Sequence, residues 1–340
     1  MKINIFGVTG SIGKNVVKII ASQPEKYAVK AITANNNVKL LAEMAIKLQA
    51  EIAVINNSNK YEELKKYLEN TNITAYAGRA ALMDVASLEV DITIGAIVGI
   101  AGLEPLFKSI KCSKIIGLAN KEALVCAGKI FMDAVNRHKC QVIPIDSEHN
   151  AILQIFEERN KDKIDQLVLT ASGGAFLNMP MSEMQNITPK MAVSHPNWDM
   201  GAKISVDSST MFNKLLEIIE AYYLFDISYN KISAIIHPES IIHSMVYYSD
   251  GAVLAQMGVA DMTIPISYML NYPSRIKTYV EKLDLLKINS LNFHAIDLEK
   301  FSLFTLKNSV IEAGQYAQIA INAANEVAVE NFLQGKIKFT

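Results

Sequence analysis

Two short acidic motifs carry the most pointed chemistry in this chain: Asp146-Ser147-Glu148, closing the apolar run 142–145, and Asn213-Lys214-Leu215-Leu216-Glu217 further along. Read as the end of a strand, Asp146 and Glu148 point to the same face, because side chains alternate there with a period of two. Carboxylates held side by side repel, and a cation, a shared proton or a basic neighbour would offset the repulsion. A solvated strand end is the alternative. Lys214 and Glu217 stand three apart on one helix face, where an intrahelical ion pair of about 0.2–0.5 kcal/mol is the plainest reading.

Hydroxyls, an amide and a lysine recur nearby, in Ser172-Gly173-Gly174, Ser208-Ser209-Thr210 and Asn213-Lys214. Donors arriving from several directions suit a phosphate monoester better than a carboxylate, although each taken singly is a cap or turn. Asn120-Lys121-Glu122 follows one strand-like run and opens a helix; Lys121 could orient a hydroxyl or exchange a proton, or could be a solvated lysine at a helix start. In His195-Pro196-Asn197-Trp198-Asp199-Met200-Gly201 the sole tryptophan lies in a polar, turn-forming stretch. Its expected role is to cover a ligand from a lid that spans 171–202, with His195 reaching the substrate; a core anchor is the other reading. His149, His237 and His243 lack metal spacing with one another, so satisfied structural histidines are the default reading, with His243 a weak active-site candidate.

A glycine turn, Gly7-Val8-Thr9-Gly10-Ser11-Ile12-Gly13, joins the first strand-like run to the first helical one. Unpaired amides and the helix dipole at such a point favour a dinucleotide pyrophosphate. The next strand-like run ends in Asn35-Asn36-Asn37, with no acid for a ribose 2′-hydroxyl, which favours NADP over NAD by elimination. No Arg or Lys stands within that run either, although Lys39 is near.

The elements that must position these residues alternate: Ile3–Phe6, Ile12–Ala21, Ala28–Thr33, Val38–Leu48, Ile52–Ile55, Tyr61–Leu68, Val90–Ile97, Leu103–Ile110, Lys114–Leu118, Glu122–Arg137 and Gln141–Ile145. Strand and helix at this spacing predict a doubly wound parallel sheet of Rossmann type over 1–140, with ligands at the carboxyl ends of its strands. A central α+β domain is expected over 141–271, from a helical Thr210–Tyr223 and strand-like Ala234–Ile236, Ile241–Tyr248 and Val253–Met257. A linker over 272–298 and a helical region over 299–340 follow. The 340 residues, half of them hydrophobic, can bury more than one core. With 33 Lys plus Arg against 34 Asp plus Glu, no global field recruits nucleic acid or a membrane surface. Three cysteines without a CxxC pair, and no signal-peptide or spanning pattern, predict a cytoplasmic protein.

Taken together, GVTGSIG, AIVGIAGL, LANKEAL, IDSEHNAI, the SGG turn, HPNWDMG, KISVDSSTMFNK with Glu217, HPESIIHSMV and INAANEVAV closely resemble the 1-deoxy-D-xylulose 5-phosphate reductoisomerase family over essentially the whole chain. The resemblance implies a homodimer of the non-mevalonate isoprenoid pathway. Such an enzyme uses NADPH and Mg²⁺ or Mn²⁺, with Co²⁺ a further option, to turn a phosphorylated sugar, 1-deoxy-D-xylulose 5-phosphate, into 2-C-methyl-D-erythritol 4-phosphate by rearrangement and reduction. It implies that Asp146, Glu148 and Glu217 are metal ligands and that Ser147, Ser172, His195, Ser208, Asn213 and Lys214 contact the substrate and its phosphate. Lys121 resembles a substrate-binding lysine, and Trp198 and Met200 belong to the lid. Thr9, Gly10, Ser11, Ile12, Asn37, Asn120, Glu122 and Gly201 fall at cofactor positions. Asn35-Asn36 replace a glycine followed by a cation, Val8 and Leu215 replace smaller residues, and relatives extend beyond position 340, so the C-terminal helical region is expected to be truncated. A semialdehyde-type NADP dehydrogenase or a non-catalytic dinucleotide sensor would share the glycine turn but would not need three carboxylates beside a phosphate pocket.

Overall fold

The computed structural model describes residues 1–194 and 201–340, and the chain divides into two compact units. The first comprises Met1–Ala123, Lys129–Asp146 and Met262–Thr278. Its strands and helices alternate as β1 Lys2–Phe6, α1 Ser11–Ala21, β2 Ala28–Ala34, α2 Val38–Leu48, β3 Ile52–Ile55, α3 Tyr61–Leu68, β4 Thr74–Ala77, α4 Gly78–Val85, β5 Val90–Gly95, α5 Leu103–Ser109, β6 Ser113–Leu118, α6 Glu122–His138 and β7 Gln141–Pro144. The strands form one parallel sheet in the order β4-β3-β2-β1-β5-β6-β7. Ile3, Ile5, Ile32, Val54, Ile92 and Ile94 are buried in its middle strands, as continuous apolar runs covered on both faces must be. Helix α1 buries Val16, Val17, Ile19 and Ile20 while Lys14 and Lys18 stay exposed, the stripe that seats a crossover helix on a sheet. Strand order reverses beside β1, which places a binding crevice at the carboxyl ends of β1 and its neighbours.

Within the strand-helix alternation of this sheet, β4 and α4 escape the sequence pattern. They come from a short, alanine-rich stretch without a β-branched run, and β4 is half exposed at the sheet edge. Edge pairing to β3 makes this strand where intrinsic propensity is weak.

The second unit comprises Leu124–Gly128, Ser147–Asp261 and Tyr279–Thr340. It contains α7 Ser147–Ile155, β8 Ile164–Ala171, the short helices α8 Met181–Met184 and α9 Pro189–Ala192, α10 Ala202–Ser209, α11 Phe212–Phe225, β9 Ile232–Ile236, β10 Ile242–Tyr248 and β11 Val253–Met257. The chain then gives α12 Thr263–Asn271, which belongs to the first unit, before α13 Lys307–Glu312 and α14 Gln315–Leu333. The sheet is mixed, in the order β11-β10-β8-β9, with β10 antiparallel to both β8 and β11 and β9 parallel to β8. Helix α11 is buried almost all round, through Leu215, Leu216, Ile218, Ile219 and Ala221, which makes it the central support of the unit. Phe176, Met184, Ile187 and Ala192 pack in one cluster with Val206, Val329 and Phe332, so α14 anchors much of the stretch 172–194. The remainder of the segment expected as a lid, including His195, Trp198 and Met200, lies outside the described residues.

Candidate functional site

The carboxylate motif sits on a different local structure from the one its alternation predicts. β7 ends at Pro144 and α7 begins at Ser147, so Asp146 occupies the junction and Glu148 the first helical turn, not neighbouring positions on one strand face. An acid in the first turn complements the positive end of the helix, and that preference wins over alternation here.

Within the second unit, α7 packs across β10 and β11 and α11 lies against α10 and β8, bringing Glu148 to Lys214 and Glu217. Lys214 Nζ donates to Glu148 Oε1 at 2.5 Å and to Glu217 Oε2 at 2.5 Å, and the two acids offer oxygens within 4.8 Å of each other. The intrahelical Lys214–Glu217 pair is thus real but is half of a buried bridge between helices. Burial opposes the charge on Lys214, yet Glu148 and Glu217 outweigh it and raise its pKa above the ordinary lysine value. Ser147 Oγ donates to Glu148 Oε2 at 2.5 Å, and Asn213 Nδ2 donates to Glu217 Oε1. Both acids are therefore held by fixed donors, the arrangement that preorganises oxygen ligands.

Two of the phosphate candidates are brought close to each other. Gly174, at φ +71°, lies so close to α10 that a Cβ there would sit 2.6 Å from Ser209 Cα and 2.8 Å from Ser208 O. The Ser172 turn and the Ser208 end of α10 thereby become neighbours, and Ser172 Oγ accepts from Gly174 N at 3.2 Å. Met211 takes φ +61° between α10 and α11, an uncommon left-handed position for a non-glycine residue. The bend joins the Ser208 end of α10 to the first turn of α11, which carries Asn213 and Lys214. Gly201 is the N-cap of α10.

The histidines divide. His149 is fully buried, with Nε2 at 2.8 Å from Glu217 O and Nδ1 at 3.3 Å from Glu220 Oε2, so it ties α7 to α11 directly behind the two acids. His237 stacks on Phe293 and contacts Asn292 O, a structural role. Burial lowers the His243 pKa, with Glu148 acting the other way. Glu220 was not singled out by sequence, although it lies one helical turn beyond Glu217 and shares its face.

In the first unit, Gly7 and Val8 amides bond Thr33 O at 3.1 and 2.9 Å, holding the turn at the carboxyl ends of β1 and β2. The turn leads through Thr9 and Gly10 into α1, whose N-cap Gly10 makes no side-chain capping bond and whose first turn, with Ser11 and Ile12, contains no acid. A Cβ on Gly13 would meet Val8 O at 2.3 Å, so backbone and helix approach as closely as a pyrophosphate cradle requires. Asn35, Asn36 and Asn37 are exposed after β2, and Asn37 caps α2 by accepting from Leu40 N at 3.2 Å. Asn120 Oδ1 accepts from Ala123 N in the first turn of α6 at 2.9 Å, and its Nδ2 donates to Gly99 O at 2.8 Å. The adjoining Lys121 and Glu122 are buried, and Lys121 Nζ lies 2.7 Å from Asp146 Oδ2. Asn56 and Asn57, just after β3, bond Asn35 and Asn36; a polar pair directly after an apolar strand is the signal the sequence offers for them.

Among known proteins, family models match three stretches of the chain. Residues 3–128 match 1-deoxy-D-xylulose 5-phosphate reductoisomerase, residues 142–225 its C-terminal domain and residues 257–340 a DXP reductoisomerase C-terminal domain. A relative of the same description from Zymomonas mobilis is 46% identical over 337 residues, covering 99% of this chain and 87% of its own length. One from a Wolbachia of Culex pipiens is 48% identical over 342 residues, with the same two coverages. Among solved structures, the Zymomonas mobilis protein in complex with NADPH superposes with a TM-score of 0.93 at 44% identity, covering 99% of this chain and 88% of that one. A DOX-P reductoisomerase in complex with NADPH, fosmidomycin and magnesium does so with 0.96 at 41% identity, covering 100% and 86%.

Proposed function

The chain belongs to the 1-deoxy-D-xylulose 5-phosphate reductoisomerase family, and from that membership we propose that it converts 1-deoxy-D-xylulose 5-phosphate into 2-C-methyl-D-erythritol 4-phosphate with NADPH and a divalent cation. The observation that carries the reading is the pair of acids, Glu148 and Glu217, converging on buried Lys214 with Ser147 and Asn213 bonded to their remaining oxygens. Such a cluster of fixed carboxylate oxygens fits a hard cation. Asp146 precedes Glu148 by two residues and would complete the ligand set with Glu217. When bound, the cation supplies Lewis acidity at the substrate oxygens and NADPH supplies hydride.

The chain's own residues do the rest. Lys214 balances the charge of Glu148 and Glu217, and its ammonium, with Ser172, Ser208 and Asn213, would offer donors to the substrate phosphate. Lys121, held by Asp146, orients a substrate hydroxyl. The amides of Gly10, Ser11 and Ile12 at the start of α1 would hold the pyrophosphate, with Thr9, Asn35, Asn36, Asn37, Asn120, Glu122 and Gly201 as the remaining cofactor contacts. His195 and Trp198 close over the substrate and exclude water, for which binding of the remote phosphate supplies the energy. The working form is a homodimer in the cytoplasm; free Cys112, Cys126 and Cys140 suit a reducing compartment, and among the described residues no helix is long and apolar enough to cross a membrane.

The test is NADPH oxidation with 1-deoxy-D-xylulose 5-phosphate, with and without a chelator. Turnover that requires this substrate and stops on chelation is expected; turnover that ignores the chelator, or none with this substrate and Mg²⁺ or Mn²⁺ present, would overturn the reading.

A further inference from the structure

Among the asparagines after β2 and β3, the pair Asn57–Asn36 has its polarity set from the backbone. Asn57 Oδ1 accepts the Asn59 backbone N–H at 3.1 Å, capping the turn that follows β3. A backbone amide can only donate, so the oxygen end of Asn57 is fixed and its Nδ2 must face the other way, where it donates to Asn36 Oδ1 at 2.8 Å. Asn36 therefore spends its acceptor on Asn57 and keeps its NH2 group for something else. Beside it Asn56 Nδ2 lies 3.1 Å from Asn35 Oδ1, and Asn57 N bonds Asn35 O at 3.1 Å, tying the two strand ends together. Asn37 likewise gives its oxygen to Leu40 N. The exposed amides of Asn36 and Asn37 thus have their acceptors taken by protein donors, at the strand edge that carries the glycine turn.

Resting on the dinucleotide reading above, we propose that Asn57 is a specificity-determining positioning residue that aims the Asn36 NH2 at the 2′-phosphate of the dinucleotide. A phosphate is an acceptor at every oxygen, whereas a ribose hydroxyl pair both donates and accepts, so a surface of oriented NH2 groups favours the phosphorylated ribose without a cation. Asn57 does this without touching the ligand. Replacing it by aspartate keeps the cap on Asn59 but leaves no donor for Asn36, which then turns its NH2 inward to the new carboxylate and its oxygen outward.

The experiment measures Kd for NADPH and for NADH by calorimetry, in the intact chain, for wild type, Asn57→Asp, Asn57→Ser, Asn36→Ala and Asn36→Ala with Asn57→Asp. Asn57→Ser retains a capping oxygen, removes the NH2 and adds no charge. The expected result is that Asn57→Asp lowers the preference for NADPH at least about tenfold, the order of a charge-assisted hydrogen bond lost, and Asn57→Ser lowers it less. In the Asn36→Ala background Asn57→Asp should change the preference by less than about twofold, because the effect travels through Asn36. An equal fall in both backgrounds would show direct repulsion by the new charge, and parallel weakening of NADPH and NADH would show a merely structural role; either overturns the proposal. Should Asn57→Asp not fold, an unchanged preference in Asn57→Ser overturns it. A wild type that binds neither nucleotide would instead refute the dinucleotide reading itself, and the proposal with it.

Discussion

At the scale of single residues, the site depends on how few charges share a buried volume. Glu217 is fully buried and bonded to Lys214 and Asn213, so its charge is held where solvent cannot replace it. Glu217→Gln retains the shape but removes one of the two charges opposing Lys214, leaving Glu148 alone to balance it. Turnover should fall by about 100-fold or more, as when one preorganised electrostatic group is lost, while the NADPH Kd stays within about twofold because the glycine turn is untouched. NADPH oxidation at saturating Mg²⁺ together with calorimetry checks both halves; near-normal turnover would remove Glu217 from the ligand set.

At the scale of elements, the glycine turn works by close approach. The Cβ of an alanine at position 13 would stand 2.3 Å from Val8 O and 2.5 Å from Val8 C, and backbone cannot yield as a flexible side chain can. Gly13→Ala should therefore push α1 from β1, cost about 1–3 kcal/mol of stability as overpacking does, and weaken NADPH more than it lowers the melting temperature in proportion. An unchanged melting temperature and NADPH affinity would show that the turn has slack. A second prediction concerns the segment after α9. Phe176, Met184, Ile187 and Ala192 anchor the stretch before it, and the proposed closure over a substrate is tested at Trp198. As the chain has one tryptophan, its emission should change on saturation with substrate in the presence of Mg²⁺, and Trp198→Ala should lower kcat while leaving dinucleotide affinity intact. Emission that ignores saturating substrate would place the lid elsewhere.

At the scale of the whole molecule, alkaline stability follows from buried acids that must stay protonated. Burial pushes the Cys140 thiol up to about 11, against roughly 8.5 for an unperturbed thiol. The folded chain holds this proton more tightly than the unfolded one, so the contribution is complete below the unfolded pKa and is lost as pH rises through the folded value. Tyr27, Tyr223 and Tyr248, each raised by burial, act in the same direction at higher pH. The melting temperature should fall between about pH 9 and 11, and Cys140→Ala should make that fall shallower; a profile identical to wild type would show that Cys140 contributes nothing to it.

The sequence by itself determined what is local. Alternating apolar runs specify the strands and helices of the parallel sheet, since burial on two faces leaves a continuous signal, and Gly7 to Gly13 declare a turn because their backbone geometry excludes side chains. The order of motifs also named the residues that meet at the acidic cluster. Tertiary structure decided what depends on distant partners. β4 exists because β3 offers it an edge; Asp146 and Glu148 straddle a strand end and a helix start, where alternation loses its meaning. Lys214 joins Glu148 as well as Glu217 because α7 and α11 are brought together in the second unit, with His149 tying them from behind. The orientation of Asn36 likewise comes from Asn57, twenty-one positions away. Periodicity records which face of an element is buried, but not which element covers it, and every one of these contacts is a property of the covering element.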